Sequence, residues 1–222
     1  MAENNKRRQP QKEESGWQFW LQTIALTIAI YAVFFLGFKF VLSNDKVSGP
    51  SMQPTFENGD KVIATRHSNL SRGDVIVLKA PDEPGSFYIK RIIGLPGDTV
   101  VSKNNKIYVN GKLFKEDFLK AGDKVKEPDT SLYAGKPYSY TYNFTLSTLA
   151  KNSPEWQSRY GANSSLLSKV KKTNKVPAGT YFVMGDHRTV SKDSRIIGFI
   201  NKNSIIGEVK WRYWPLNRWA IF

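Results

Sequence analysis

The sequence contains no cysteine. Disulfides, thiolate metal sites and cysteine nucleophiles are excluded together. The compartment is not identified by this, because a domain of this size needs no disulfide staples. Histidine is almost as scarce, with only His67 and His187 among 222 residues. A histidine-rich metal site is therefore excluded, and a serine triad has few candidates for its base. Acidic residues are also in short supply: 19 Asp and Glu face 33 Lys and Arg, for a net charge of +14. Little of that surplus lies before Trp17, where Lys6, Arg7, Arg8 and Lys12 are set against Glu3, Glu13 and Glu14. A basic excess of this size favours an anionic partner such as lipid headgroups, wall polymer or nucleic acid, and its plainer reading is solubility. No internal repeat or low-complexity tract is present.

What is present begins with a long apolar run, WQFWLQTIALTIAIYAVFFLGFKFVL, residues 17–42. No residue from Trp20 to Phe38 is charged. A helix needs roughly 20 apolar residues to cross a bilayer. Trp17 and Trp20 suit the headgroup level at one end, and Lys39 can extend its ammonium to the other interface. A cleaved secretory leader has a shorter apolar region of about 7–15 residues and a small-x-small site after it. Here the run ends in KFVLSNDK. The expectation is a transmembrane helix at 17–42 with residues 1–16 as a cytoplasmic tail, since the larger basic cluster precedes it. The remainder then lies on the extracytoplasmic side of the cell membrane. This disfavours nucleic acid as a partner and favours an anionic lipid surface.

After the anchor, short runs rich in Val, Ile, Tyr and Phe alternate with turn residues: KVIATR, DVIVLKA, FYIKRIIG, TVVSKNNKIYVNGK, GTYFVMGD and SIIGEVKWRYWP. Asn110-Gly111 is a hairpin signal. The spacing predicts a mostly β fold, an antiparallel sheet domain formed by 43–99 and 176–222. The more polar 100–175 interrupts it as an inserted, partly irregular second region, with helical pieces near Ser147–Tyr160 and Ser164–Lys172. Trp211, Tyr213, Trp214 and Trp219 suit either a membrane interface or a strand core.

Chemistry is suggested by SGPSMQPTFENGD, residues 48–60, whose dense turn residues set a backbone rigidly. It reads as a loop leaving the membrane, or as a frame presenting Ser51. A serine hydroxyl is a poor nucleophile without a base. His187 and Asp193 would allow a triad, because triads are recognised by geometry and not by order. A neutral lysine is the alternative. In water its pKa is about 10.4, so at pH 7 the neutral fraction is below about one in a thousand. Only burial or nearby positive charge lowers that value. FYIKRIIGLPGD, residues 87–98, offers Lys90 in an apolar strand, with Tyr88 and Ile92 on its face and Ile89, Arg91 and Ile93 on the other. The competing reading puts Lys90 at a sheet edge with its head in water. A third stretch, GDHRTVSKDSRIIG, residues 185–198, reads as a polar loop or as a shell of paired charges bracing the site.

Together these stretches resemble a known family. SGPSMQPT is similar to the nucleophile motif of type I signal peptidases, YIKRIIGLPGD to their general-base motif, GDHRTVSKDSR to their third motif, and RYWPLNR to their C-terminal tail. The motifs occupy about a fifth of the chain, in the family's order and after an anchor. The resemblance implies that Ser51 is the nucleophile and Lys90 the base, and that Ser191 hydrogen-bonds the lysine amine. It implies that Asp193, Arg195, Asp186 and Arg188 form the supporting pairs. It implies an antiparallel β fold with an inserted second β-region. It also implies exported preproteins as substrates, cut after a small-x-small, Ala-x-Ala-like site, with no metal or cofactor. Gly49 stands where some members carry an oxyanion-binding serine, as in the Gram-positive subgroup. His187 stands where the motif has Asn, and Thr189-Val190 replaces a pair that is often polar or acidic. Two other readings remain at this level: an anchored Ser-Lys protease that cuts itself or one regulator, and a basic surface-binding module with no enzymatic activity.

Overall fold

The computed structural model describes residues 16–66, 68–119 and 137–222. The basic tail, His67 and part of the inserted region lie outside the described residues. The first unit of the chain contributes one described helix, α1, Gly16–Val41, long and apolar enough to cross a membrane and with no buried residue. Leu42, expected to end the helix, opens a strand instead.

The second unit is built on an eight-stranded antiparallel sheet. Its strands are β1 (Leu42–Lys46), β2 (Lys61–Thr65), β3 (Val75–Lys79) and β4 (Phe87–Gly94), followed later in the chain by β9 (Thr180–Met184), β10 (Ile200–Asn201), β11 (Ile205–Trp214) and β12 (Ala220–Ile221). The order is β1-β2-β11-β3-β4-β9-β10, with β12 also on β11. β3 is a central strand between two clusters. Val75 and Val77 pack with Val47, Met52, Phe56 and Val62, while Ile76 and Leu78 pack with Ile92, Val183 and Ile197. Burial on both faces is why VIVL reads as a continuous apolar run and not as an alternation. β4 alternates as expected, with Ile89 in the first cluster and Tyr88 and Ile92 in the second.

Between β4 and β9 the chain forms a second, four-stranded antiparallel sheet of β5 (Val100–Lys103), β6 (Lys106–Val109), β7 (Lys112–Leu113) and β8 (Phe144–Thr145). Asn104 and Asn105 both have positive φ, as do Asn110 and Gly111, so both hairpins turn on the two-residue left-handed geometry that matches strand twist. Three helices follow: α2 (Leu146–Asn152), α3 (Pro154–Tyr160) and α4 (Ser165–Thr173). The single helical piece expected at Ser147–Tyr160 is two helices. Pro154 lacks the N–H a continuing helix needs and drives Ser153 out of the α region, to φ −79° and ψ 115°. Ser153 then caps α3, accepting from the Trp156 N–H at 3.2 Å. Trp156 is fully buried, and its indole N–H donates to the Ser194 carbonyl at 3.0 Å. That bond ties the inserted region to α5 (Ser194–Ile197), the short helix between β9 and β10.

Candidate active site

Ser51 lies in the connection from β1 to β2. Gly49 there has φ +82°, the left-handed region that a side chain disfavours. The glycine is thus a backbone requirement as well as the loss of a hydroxyl. The Gln53 N–H donates to the Pro50 carbonyl at 3.0 Å and the Phe56 N–H to the Met52 carbonyl at 2.9 Å, winding one turn that carries Ser51. Met52 and Phe56 are buried beneath it.

Lys90 Nζ is 3.0 Å from Ser51 Oγ and donates to the Ile89 carbonyl, also at 3.0 Å. The competing edge reading was half right. β9 pairs with β4 only from Arg91 onward, so Lys90, paired with Ile76 of β3 on one side, has an open edge on the other. Its ammonium is nevertheless not in water: the residue is 3% exposed, with the Tyr88 ring centroid 5.1 Å from Nζ. Burial lowers the Lys90 pKa from 10.5 to about 8, against the opposing pull of the Asp193 and Asp186 carboxylates.

The third stretch closes on this pair. The His187 N–H donates to the Ser51 carbonyl at 3.1 Å. At Gly185 an added Cβ would lie 2.4 Å from that same carbonyl oxygen and 2.2 Å from Ser191 Oγ, so only glycine permits the approach. Asp193 takes Arg195 in a bidentate pair, at 2.8 and 2.7 Å, and accepts from the Gly185 N–H at 3.0 Å. Burial pushes its carboxyl up, but Arg195 and the backbone donors outweigh that and hold it below the usual range. Asp186 and Arg188 do not pair with each other. Asp186 takes Arg91, at 2.8 and 2.6 Å, and accepts from the Thr55 hydroxyl at 2.5 Å. Arg188 pairs with Glu116 and donates to the Gly185 carbonyl at 3.0 Å. Ser191 Oγ is buried beside Gly185 and makes no hydrogen bond to any described residue, Lys90 included. The imidazole of His187 packs edge-on against Tyr138, ring centroids 4.5 Å apart.

The family model described as signal peptidase, peptidase S26, matches residues 19–214. The chain belongs to this family. It is 34% identical to signal peptidase IB of Staphylococcus aureus over 198 residues, covering 87% of this chain and 88% of that protein. It is 33% identical to signal peptidase I of Streptococcus pneumoniae over 207 residues, covering 91% and 97%. A crystal structure of a signal peptidase I from Enterococcus faecalis is 31% identical, with a TM-score of 0.44, covering 64% of this chain and 97% of that one.

Within this signal peptidase-family site, sequence reasoning missed Thr55, Arg91 and Glu116 as partners. Arg91 had a visible signal, a second charge in the same apolar strand. Thr55 and Glu116 had none. A cleft of about 320 Å³ adjoins Ser51 and Lys90, bounded by Asn44–Ser48 on one side and Phe87–Ile89 on the other. Among the described residues a larger cavity, about 570 Å³, lies between Pro81–Asp82, α3 and Ile196–Ile197, and neither Ser51 nor Lys90 lines it.

Two outcomes follow from burial and close approach. Because the folded pKa of Lys90 is lowered, the unfolded chain binds the extra proton between pH 8 and 10.5. The cost to stability is full below that window and fades as pH rises through it. Lys90→Met should therefore raise stability at pH 7 by about 3 kcal/mol in denaturant titrations, a gain that shrinks by pH 10. Gly185→Ala should keep the fold but displace Ser51. A misplacement of about 1 Å costs on the order of a hundredfold in turnover, measurable in kcat with far-UV circular dichroism unchanged.

Proposed function

We propose that this protein is a membrane-anchored serine endopeptidase that removes signal peptides from exported preproteins, with Ser51 as nucleophile and Lys90 as general base. The observation that carries the reading is the buried Lys90 amine 3.0 Å from Ser51 Oγ. With the pKa at about 8, about a tenth of the lysine is neutral at pH 7, against well under one in a thousand for a free side chain. The neutral amine accepts the Ser51 proton as Oγ attacks the substrate carbonyl, the ammonium gives that proton to the departing amine of the mature chain as the C–N bond breaks, and the neutral amine so regenerated activates the water that hydrolyses the acyl-enzyme. The Ser51 N–H donates to no described residue and is the candidate donor to the oxyanion. Asp193, Arg195, Asp186 and Arg188 hold the site through their pairs, while Ser191, whose hydroxyl makes no bond to Lys90, packs beside Gly185.

The substrate fits as an extended strand along the open edges of β1 and β4, its small side chains entering the cleft beside Ser51. Helix α1 supports the anchor at 17–42, with residues 1–16 cytoplasmic, 43–99 and 176–222 forming the catalytic domain, and 100–175 forming an inserted cap. Trp214, Leu216, Trp219 and Ile221 are exposed, apolar groups suited to a bilayer interface.

His187 is not the base in this reading. Its backbone N–H, which any residue supplies, meets Ser51, and Asp193 is committed to Arg195 and Gly185. Incubation of the purified protein with a preprotein carrying an Ala-x-Ala site should release the mature fragment. Ser51→Ala, Lys90→Ala and Lys90→Arg should release none, arginine staying protonated at any ordinary pH. His187→Asn should keep activity within about tenfold, since losing a general base costs on the order of 10²–10⁴-fold. The rate should rise with pH to a plateau above about 8 in both wild type and His187→Asn. Near-normal turnover in Lys90→Ala, or loss of the rising limb in His187→Asn, would move the base assignment to His187. Release of no mature fragment by wild-type protein would favour a self-cutting protease or a binding module instead.

Orientation is checked separately. Protease added outside intact spheroplasts should digest the chain after Lys46 and spare the tail. Protection of the sheet domain would invert the topology.

A further inference from the structure

β11 is not a regular strand. Val209 lies opposite Ala64, Trp211 opposite Ile63 and Arg212 opposite Val62, so β11 carries one extra residue between Val209 and Trp211. Strict alternation would put residues 209 and 212 on opposite faces. The bulge cancels one alternation, and cross-strand partners share a face. Arg212 therefore lies on the face of Val62, Ala64 and Val209, the face packed against Met52 and Phe56 of the Ser51 segment.

There the guanidinium joins several groups. Nη1 donates to the Thr55 carbonyl at 2.5 Å and lies 3.4 Å from Asp60 Oδ2. Nε donates to the Arg218 carbonyl at 2.5 Å, and Arg218 Nη1 in turn donates to Asp60 Oδ1 at 3.1 Å. Asp60 is buried and also accepts from the Glu57 N–H at 2.9 Å. The guanidinium carbon of Arg212 is 5.6 Å from the ring centroids of both Phe56 and Phe222, which stand 4.6 Å apart. Arg212 thus fastens both ends of Thr55–Asp60, the stretch that follows the Ser51 turn. Thr55 connects it onward: its hydroxyl donates to Asp186, the partner of Arg91 beside Lys90. A shift of Thr55 moves the turn that aims Ser51 and loosens the contact between the two motifs.

We propose that Arg212 is a positioning residue for Ser51, clamping the nucleophile segment from beneath through Thr55 and Asp60. The proposal rests on the reading of Ser51 as nucleophile. A planar fork of donors is what the site uses, and a lysine ammonium cannot reach the Thr55, Asp60 and Arg218 oxygens in the same geometry.

The test is steady-state cleavage of a preprotein by the full chain carrying Arg212→Met or Arg212→Lys, with Ser51→Ala as the blank and rates expressed per folded molecule. Arg212→Met should lower kcat on the order of a hundredfold, as for a misplacement of about 1 Å, with KM within about twofold. Its rising pH limb should move to higher pH, because a displaced Ser51 lets water reach Lys90. Arg212→Lys should lose about tenfold, keeping charge without the fork. If Arg212→Met does not fold, Arg212→Lys carries the test alone. Wild-type kcat and pH limb in the folded variants overturn the proposal, as does a loss confined to KM or to the folded fraction. Turnover by Ser51→Ala overturns the nucleophile reading itself, whereas an inert Ser51→Ala beside a fully active Arg212→Met removes only the positioning role.

Discussion

A buried lysine whose pKa is lowered to about 8 sets the terms for the structure around it. Any carboxylate close to Lys90 favours the ammonium and raises its pKa, and both Asp193 and Asp186 act in that direction. Yet the segment that closes over Ser51 needs buried acceptors for its backbone and side-chain donors. The resolution is that each carboxylate is matched by a guanidinium: Asp193 by Arg195, Asp186 by Arg91, and Glu116 by Arg188. The pairs are close to neutral as units, so burial remains the largest influence on Lys90. Breaking one such pair would leave an uncompensated buried charge, which is far costlier than the pair itself.

The same pairs fix geometry. Asp186 holds Thr55 from one side and Arg91 from another, so the Ser51 segment and the lysine strand share an acceptor. Asp193 holds the Gly185 N–H, and Gly185 packs against the Ser51 carbonyl without room for a methyl group. A hydroxyl held within hydrogen-bond reach of an amine by rigid neighbours is the preorganisation that the proposed dyad calls for. The inserted region takes part as well, through Glu116 to Arg188 and Trp156 to Ser194.

Much of this was legible in the residue order. The strands at 61–65, 75–79, 87–94, 180–184 and 205–214 were visible as runs of β-branched and aromatic residues between turns. β1 was not, because LSNDK is polar and pairs on one side only. The break at Pro154 was readable from the proline itself, yet the apolar spacing on both sides of it suggested one helix. Lys90 stood out because a charge in an apolar strand calls for a reason. Arg91, with the same peculiarity, was set aside on the opposite face, and that face proved to lead to Asp186.

By itself the sequence determined which groups the site has to work with and in what local setting: a hydroxyl on a glycine- and proline-framed turn, an amine among apolar neighbours, and a run of alternating acids and arginines with no cysteine. These are properties of composition and short-range periodicity, carried within a dozen residues. Tertiary structure alone decided the partners. Ser51 and Lys90 are 39 positions apart, and Arg91 and Asp186 are 95 apart, so their meeting depends on strand order and register. The face on which Arg212 lies depends on a one-residue bulge. No local pattern encodes such a bulge, because whether the extra residue is accommodated is decided by the strand it pairs with and the segment packed above it.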